Sequence, residues 1–213
     1  MECSNWATRL PSIVRSVQPS SPSTTSSAVG DRNGSIARTS PSRKAWQAGF
    51  MAMRSWPADW ELRFAGAECS ACSQGRPDED EYGVRYFAGS RADAYLQRST
   101  PVPGHSTVVF RGRHVADPID LTPDETVAFW SDVRIAARAI QTVFAPCHLN
   151  YQLLGNAMPH VHVHVIPRYL HDSAPGRPLG DDVWNSATVV PSLELDDQVV
   201  ALKSALRASI ENH

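Results

Sequence analysis

The sequence predicts an α+β fold: a five-stranded, mainly antiparallel sheet with one long helix and one C-terminal helix. Three observations lead there. Five short β-rich runs lie at 84–88, 92–97, 106–111, 148–154 and 160–166. One stretch between them, Thr122–Ala145, carries a full set of helix-start signals. A final segment near Leu195–Ile210 repeats apolar residues at helical spacing.

Taken in order, Val84–Ala88 and Ala92–Gln97 are separated by Gly89-Ser90, read as a turn. Ser106–Arg111 follows the turn Pro103-Gly104-His105. In the long helix Thr122 is the N-cap, Pro123 takes the first helical position and Glu125 completes a capping box. Val127, Trp130, Val133, Ala137, Ile140 and Phe144 then recur at spacings of three and four, predicting one buried apolar stripe. Pro146 stops the helix. His148–Leu154 and His160–Ile166 are the last two strands. Val199, Leu202, Leu206 and Ile210 share one side of the C-terminal helix. No internal repeat interrupts this plan.

The chain has 213 residues, enough for one domain and a tail. Hydrophobic residues make up 42% and charged residues 20%, which excludes a wholly disordered protein. A net charge of −2 calls for neither nucleic acid nor a membrane surface as the main partner. Charge is uneven, however. Residues 1–50 hold six basic and two acidic groups, a net of +4, against −6 for the rest. That first segment is rich in Ser, Thr and Pro without apolar period, and is expected to be disordered. An organelle transit peptide, or a true start at Met51 or Met53, are the competing readings. Residues 56–213 are expected to fold. No secretory signal or membrane helix is read, so a cytoplasmic location is expected.

The sharpest feature is Pro159-His160-Val161-His162-Val163-His164-Val165-Ile166-Pro167-Arg168. On a strand, alternate side chains point to opposite faces, so the three histidines share one face and the three valines the other. The imidazoles then stand about 6–7 Å apart, from a rise of ~3.3 Å per residue. Packing alone does not ask for three polar rings in a row. Imidazole supplies a nucleophile, a general acid or base, and a metal ligand. Catalytic and metal sites both remain open on this pattern alone.

The pattern His160-x-His162-x-His164 followed by Ile166-Pro167-Arg168 resembles the histidine triad (HIT) superfamily of nucleotide hydrolases. Asn150-Tyr151, Leu154-Gly155-Asn156 and Pro103-Gly104-His105 add to the likeness, which covers roughly residues 65–170. The resemblance implies a HIT-like fold, a homodimer and a covalent nucleotidyl-histidine. His162 would be the nucleophile. His164 would hold a phosphate oxygen or help the leaving group depart, and His160 would orient the site. A transferase branch usually has Gln at the third triad position, and this chain has His164. That favours a hydrolase acting on an α-phosphate linkage, such as that of a dinucleoside polyphosphate. Phosphorolysis and phosphoramidate hydrolysis are the alternatives within enzymes; a zinc-stabilised nucleotide-binding or interaction module is the alternative outside them. Family members place Asp or Asn against the ribose hydroxyls where this chain has Gln97. Asn150 and Asn156 match positions that border the phosphates.

Cys69-Ser70-Ala71-Cys72 precedes the first strand. Such a pair is a redox couple, half a zinc site or coincidence. A redox motif normally opens a helix in a βαβ unit, which an antiparallel pattern does not offer. Zinc needs two more ligands. The resemblance supplies them as His114 and His160, making zinc a structural cofactor; His148 and His171 are rivals. Cys147 is read as a small buried apolar residue, and Asp78-Glu79-Asp80-Glu81 as a solvated turn.

Overall fold

A computed structural model describes residues 56–211. The segment 1–50, expected to be disordered, lies outside the described residues. Every element belongs to the compact unit that begins at Ala58.

Two short helices come first, α1 (Trp60–Phe64) and α2 (Ser70–Ser73). They are followed by β1 (Gly83–Ala88), β2 (Ala92–Gln97), β3 (Ser99–Thr100) and β4 (Ser106–Phe110). The long helix α3 (Pro123–Phe144) leads to β5 (His148–Gln152) and β6 (His162–Arg168). A short α4 (Asp181–Trp184), β7 (Thr188–Val189) and α5 (Ser192–Glu211) complete the order. The predicted α+β class is what the chain adopts: a five-stranded sheet in the order β1-β2-β4-β6-β5, antiparallel throughout. Among the described residues no helix is long and apolar enough to cross a membrane.

One sheet face is apolar and buried. Val161, Val163 and Val165 pack there with Ala94, Leu96, Val108 and Phe110, under α3 and α5. The predicted capping box closes α3. Thr122 Oγ1 accepts from the Glu125 amide at 3.2 Å, and Glu125 Oε2 accepts from the Thr122 amide at 2.9 Å. Arg113 grips the same carboxylate and, with Thr122, holds it down to about 2.

The buried side of α3 is not the predicted stripe. Val133, Ala137 and Ile140 face the core as expected, but Val127 and Trp130 are exposed and Phe129, Ala136 and Asp132 are buried in their place. The buried Asp132 explains the rotation. Its carboxylate accepts the amides of Arg91 (2.7 Å) and Ala92 (2.9 Å), fastening the β1–β2 turn to the helix. A Cβ at Gly89 would lie 2.5 Å from that carboxylate, so the turn needs glycine there. A spacing count sees apolar residues and cannot credit a buried acid.

Several boundaries also move. The last sheet strand begins at His162 rather than His160, and the final helix starts at Ser192. Cys147 is exposed, not buried; its thiol donates to the Arg168 carbonyl at 3.1 Å. The acidic run is a surface turn, where Asp80 accepts the amides of Tyr82 and Gly83 and Arg85 meets Asp78.

Candidate active site and metal centre

The sheet face opposite the core carries the candidate site. Register aligns Tyr95, Thr107, His164 and Gln152 in one row across four strands, and Asp93, Val109 and His162 in the next. Both His162 and His164 line a cavity of about 730 Å³. Gln97 and Tyr95 share its floor, while Leu62, Ala67 and Pro77 from the N-terminal segment and Met158 form walls.

The hydrogen bonds assign the tautomers of the two rings. His162 Nδ1 lies 2.6 Å from the main-chain oxygen of His160. A carbonyl only accepts, so Nδ1 carries the hydrogen and Nε2 is left with its lone pair. Burial lowers the His162 pKa, which favours this neutral form; the bond to His160 opposes the shift. His164 Nδ1 faces His105 Nε2 at 3.1 Å and Thr107 Oγ1 at 3.2 Å. His105 is buried, its Nδ1 has no partner, and Trp184 packs edge-on against its ring at 5.2 Å. Stranding a lone pair there costs less than stranding an N–H. His105 Nε2–H therefore donates to His164 Nδ1, and His164 keeps its hydrogen on Nε2. Burial and the neighbouring His162 bring His164 down to about 4, and burial with His164 brings His105 to about 3. The two rings, 5.1 Å apart edge to face, thus differ: His162 has a lone pair to give and His164 an N–H.

His160 turns the other way. Its ring joins Cys69, Cys72 and His114, whose ligand atoms all lie within 4.8 Å of one another. His160 Nε2–H donates to the Phe110 carbonyl at 2.8 Å and His114 Nε2–H to the Phe64 carbonyl at 3.1 Å. Both histidines therefore aim an unprotonated Nδ1 at the sulfurs. Tetrahedral Zn–S and Zn–N bonds of ~2.3 and ~2.1 Å imply S···N edges of about 3.6 Å. The observed separations are 3.4 Å (Cys69–His160), 3.6 Å (Cys72–His160) and 3.7 Å (Cys72–His114). A Cys₂His₂ donor set of this size fits zinc. Of the rival ligands, His148 is exposed on β5 and His171 stacks on Tyr169.

The family model for the HIT domain matches residues 87–171, the segment that holds β2, β4, α3, β5, β6 and all three triad histidines. Over this segment the chain matches the HIT domain family. Solved structures agree on the fold. A histidine triad protein from Bradyrhizobium japonicum superposes with a TM-score of 0.53 at 22% identity, covering 59% of this chain and 92% of its own. One from Marinobacter aquaeolei VT8 gives 0.51 at 20% identity, with coverages of 59% and 90%. Among curated proteins, the chain is 34% identical over 92 residues to a bis(5'-nucleosyl)-tetraphosphatase (asymmetrical) of Schizosaccharomyces pombe. That match takes in 40% of this chain and spans 50% of the length of the relative.

Within the matched segment the remaining predicted residues separate. Gln97 lines the cavity with His162 and His164; Asn150 and Asn156 do not. Asn150 Oδ1 accepts from Arg168 Nη1 at 2.6 Å, in a knot that also holds Asp172 at 2.5 Å. Asn156 is exposed beside Gly155. Sequence reasoning passed over His105 and Thr107, which set the His164 tautomer, and the buried ion pair Asp93–Arg111. Arg111 also donates to the Ala71 carbonyl at 2.7 Å and to Tyr95 Oη at 2.9 Å, tying the Cys69–Cys72 turn to the sheet. A lone Asp between alanines in an apolar strand, Ala92-Asp93-Ala94, was the available signal.

Proposed function

We propose that the protein hydrolyses a dinucleoside polyphosphate through a covalent nucleotidyl-histidine on His162. The observation that carries this reading is the 2.6 Å bond from His162 Nδ1–H to the His160 carbonyl, which leaves Nε2 free to attack. In the first step Nε2 bonds to the α-phosphorus, the bridging P–O bond breaks, and the departing phosphate oxygen leaves as an anion that accepts a hydrogen bond from His164 Nε2–H. In the second, water attacks the phosphorus, the P–N bond breaks, His162 Nε2 recovers its lone pair, and the proton lost by the water passes to solvent. One hard displacement becomes two easier ones. The named activity of the fission-yeast relative and the HIT domain support this substrate class. Gln97 lines the same cavity, and its amide can serve nucleoside hydroxyls as donor and acceptor.

Zinc is assigned to Cys69, Cys72, His114 and His160. Bound there, the ion cross-links the N-terminal segment to the strand that carries the nucleophile. A homodimer is also proposed, for which the exposed Val127 and Trp130 of α3 offer apolar surface.

The test is incubation with diadenosine tetraphosphate, with and without inorganic phosphate, products read by mass spectrometry beside His162→Ala. AMP formed by the wild type and not by the variant is the expected result. ADP that appears only with phosphate would make the enzyme a phosphorylase. Cleavage that survives His162→Ala would overturn the mechanism.

A further inference from the structure

A second cavity, of about 470 Å³, is lined on one side by Cys72, His114 and His160 of the Cys/His cluster, and neither His162 nor His164 lines it. Four arginines do: Arg76, Arg91, Arg111 and Arg113, and no acidic residue shares the lining. The catalytic cavity has the opposite balance, with Arg63 and Arg111 against Asp59, Glu68 and Asp80.

The carboxylates that steady these arginines sit behind the surface. Asp93, fully buried, holds Arg76 at 2.5 Å and Arg111 at 3.0 Å. Glu125 holds Arg113 at 2.7 Å. Asp132 spends its carboxylate on the Arg91 and Ala92 amides and the Ser90 hydroxyl. Four guanidinium groups against three withdrawn carboxylates leave an excess of positive charge on this wall. Arg91 itself has no carboxylate partner among the described residues. Its Nη1 lies against the bare backbone of Gly112, where a Cβ would come within 3.1 Å and where φ is +122°. Arg111 is nine-tenths buried, and its three described bonds leave two of its five N–H groups unassigned.

We propose that this basic cavity binds an oligophosphate anion at a site separate from the catalytic cavity. Guanidinium forks match phosphate oxygens in pairs, and a row of arginines needs a ligand with several of them. A volume of about 470 Å³ exceeds what one phosphate fills. The site shares Arg111 and Ala71 with the catalytic cavity, so an anion bound here bears on the turn that carries Cys72. The proposal does not depend on the hydrolase reading.

The test is calorimetric titration of the metal-loaded full chain with tripolyphosphate, with saturating AMP present to fill the catalytic cavity. Zinc content is measured after each run, because the probe chelates. Three proteins are compared: wild type, His162→Ala and Arg91→Glu. Arg91 is exposed and its side chain makes no hydrogen bond or ion pair among the described residues, its fold contacts being those of its backbone, and equal thermal unfolding of Arg91→Glu verifies that the fold is kept. Binding that is unchanged in His162→Ala and about tenfold weaker or more in Arg91→Glu is expected, and it should weaken as salt rises. A parallel titration with ATP separates the two sources of the chain: Arg91-dependent ATP binding marks a nucleotide-borne chain, and its absence a free one. No tripolyphosphate binding, or binding indifferent to Arg91→Glu, would overturn the site.

Discussion

One hydrogen atom decides what each of the two cavity-lining imidazoles can do. With its hydrogen fixed on Nδ1 by the His160 carbonyl, His162 presents Nε2 as a base and nucleophile. His162→Ala should lower turnover by about 10⁴-fold while AMP still binds, because the cavity walls come from other residues; single-turnover assays and an AMP titration measure both. His105 acts through His164 and is a positioning residue. Replacing it by Phe removes the donor at 3.1 Å and lets the His164 hydrogen move from Nε2 to Nδ1, where Thr107 Oγ1 accepts it. The expected result for His105→Phe is a kcat loss of about 10²-fold with KM little changed, and a pH profile whose acid limb moves. Rescue by His105→Gln, whose amide can still donate, distinguishes tautomer control from simple packing.

At the scale of elements, sequence succeeded where local chemistry governs and failed where a distant partner does. The α3 N-terminus was legible to the residue, since Thr122, Pro123 and Glu125 settle it among themselves. Thr122→Ala should cost about 1 kcal/mol, read as a lowered denaturation midpoint at unchanged slope. The face of α3 was not legible, because its orientation answers to amides of the β1–β2 turn, forty residues upstream, that Asp132 accepts. The valine and histidine faces of the last strand were readable from period two alone. That His160 leaves the triad to join the cysteines was reachable only through family resemblance, since Phe110 and Phe64, which orient the ligand nitrogens, carry no ligand signature. Asn150 looked like a phosphate neighbour on the same grounds, yet its side chain is bonded to Arg168. A motif gives the residue; the strand beside it decides the bond.

Over the whole molecule, the Cys/His cluster, the Arg76–Asp93 ion pair and the bond from Arg111 to the Ala71 carbonyl join the N-terminal segment to the sheet. Removing zinc with a chelator should therefore lower the melting temperature, by about 2–4 °C for each kcal/mol lost in a chain of this size. The buried imidazoles make the same fold sensitive to acid. His164, held down to about 4, and His105, at about 3, both lie below the ordinary 6.5. The native state keeps them neutral, while the unfolded chain takes up their protons as pH falls through 6.5. Stability should thus be flat above pH 7. Below 6.5 it should decline by about 1.4 kcal/mol per pH unit for each group, until the group's own folded pKa is reached. Metal release contributes in the same range, so the difference between wild type and His105→Phe is the informative quantity. Urea unfolding at pH 7.5, 6 and 5 should show a shallower acid slope for His105→Phe. Parallel slopes for the two proteins would mean that His105 is not held neutral by burial.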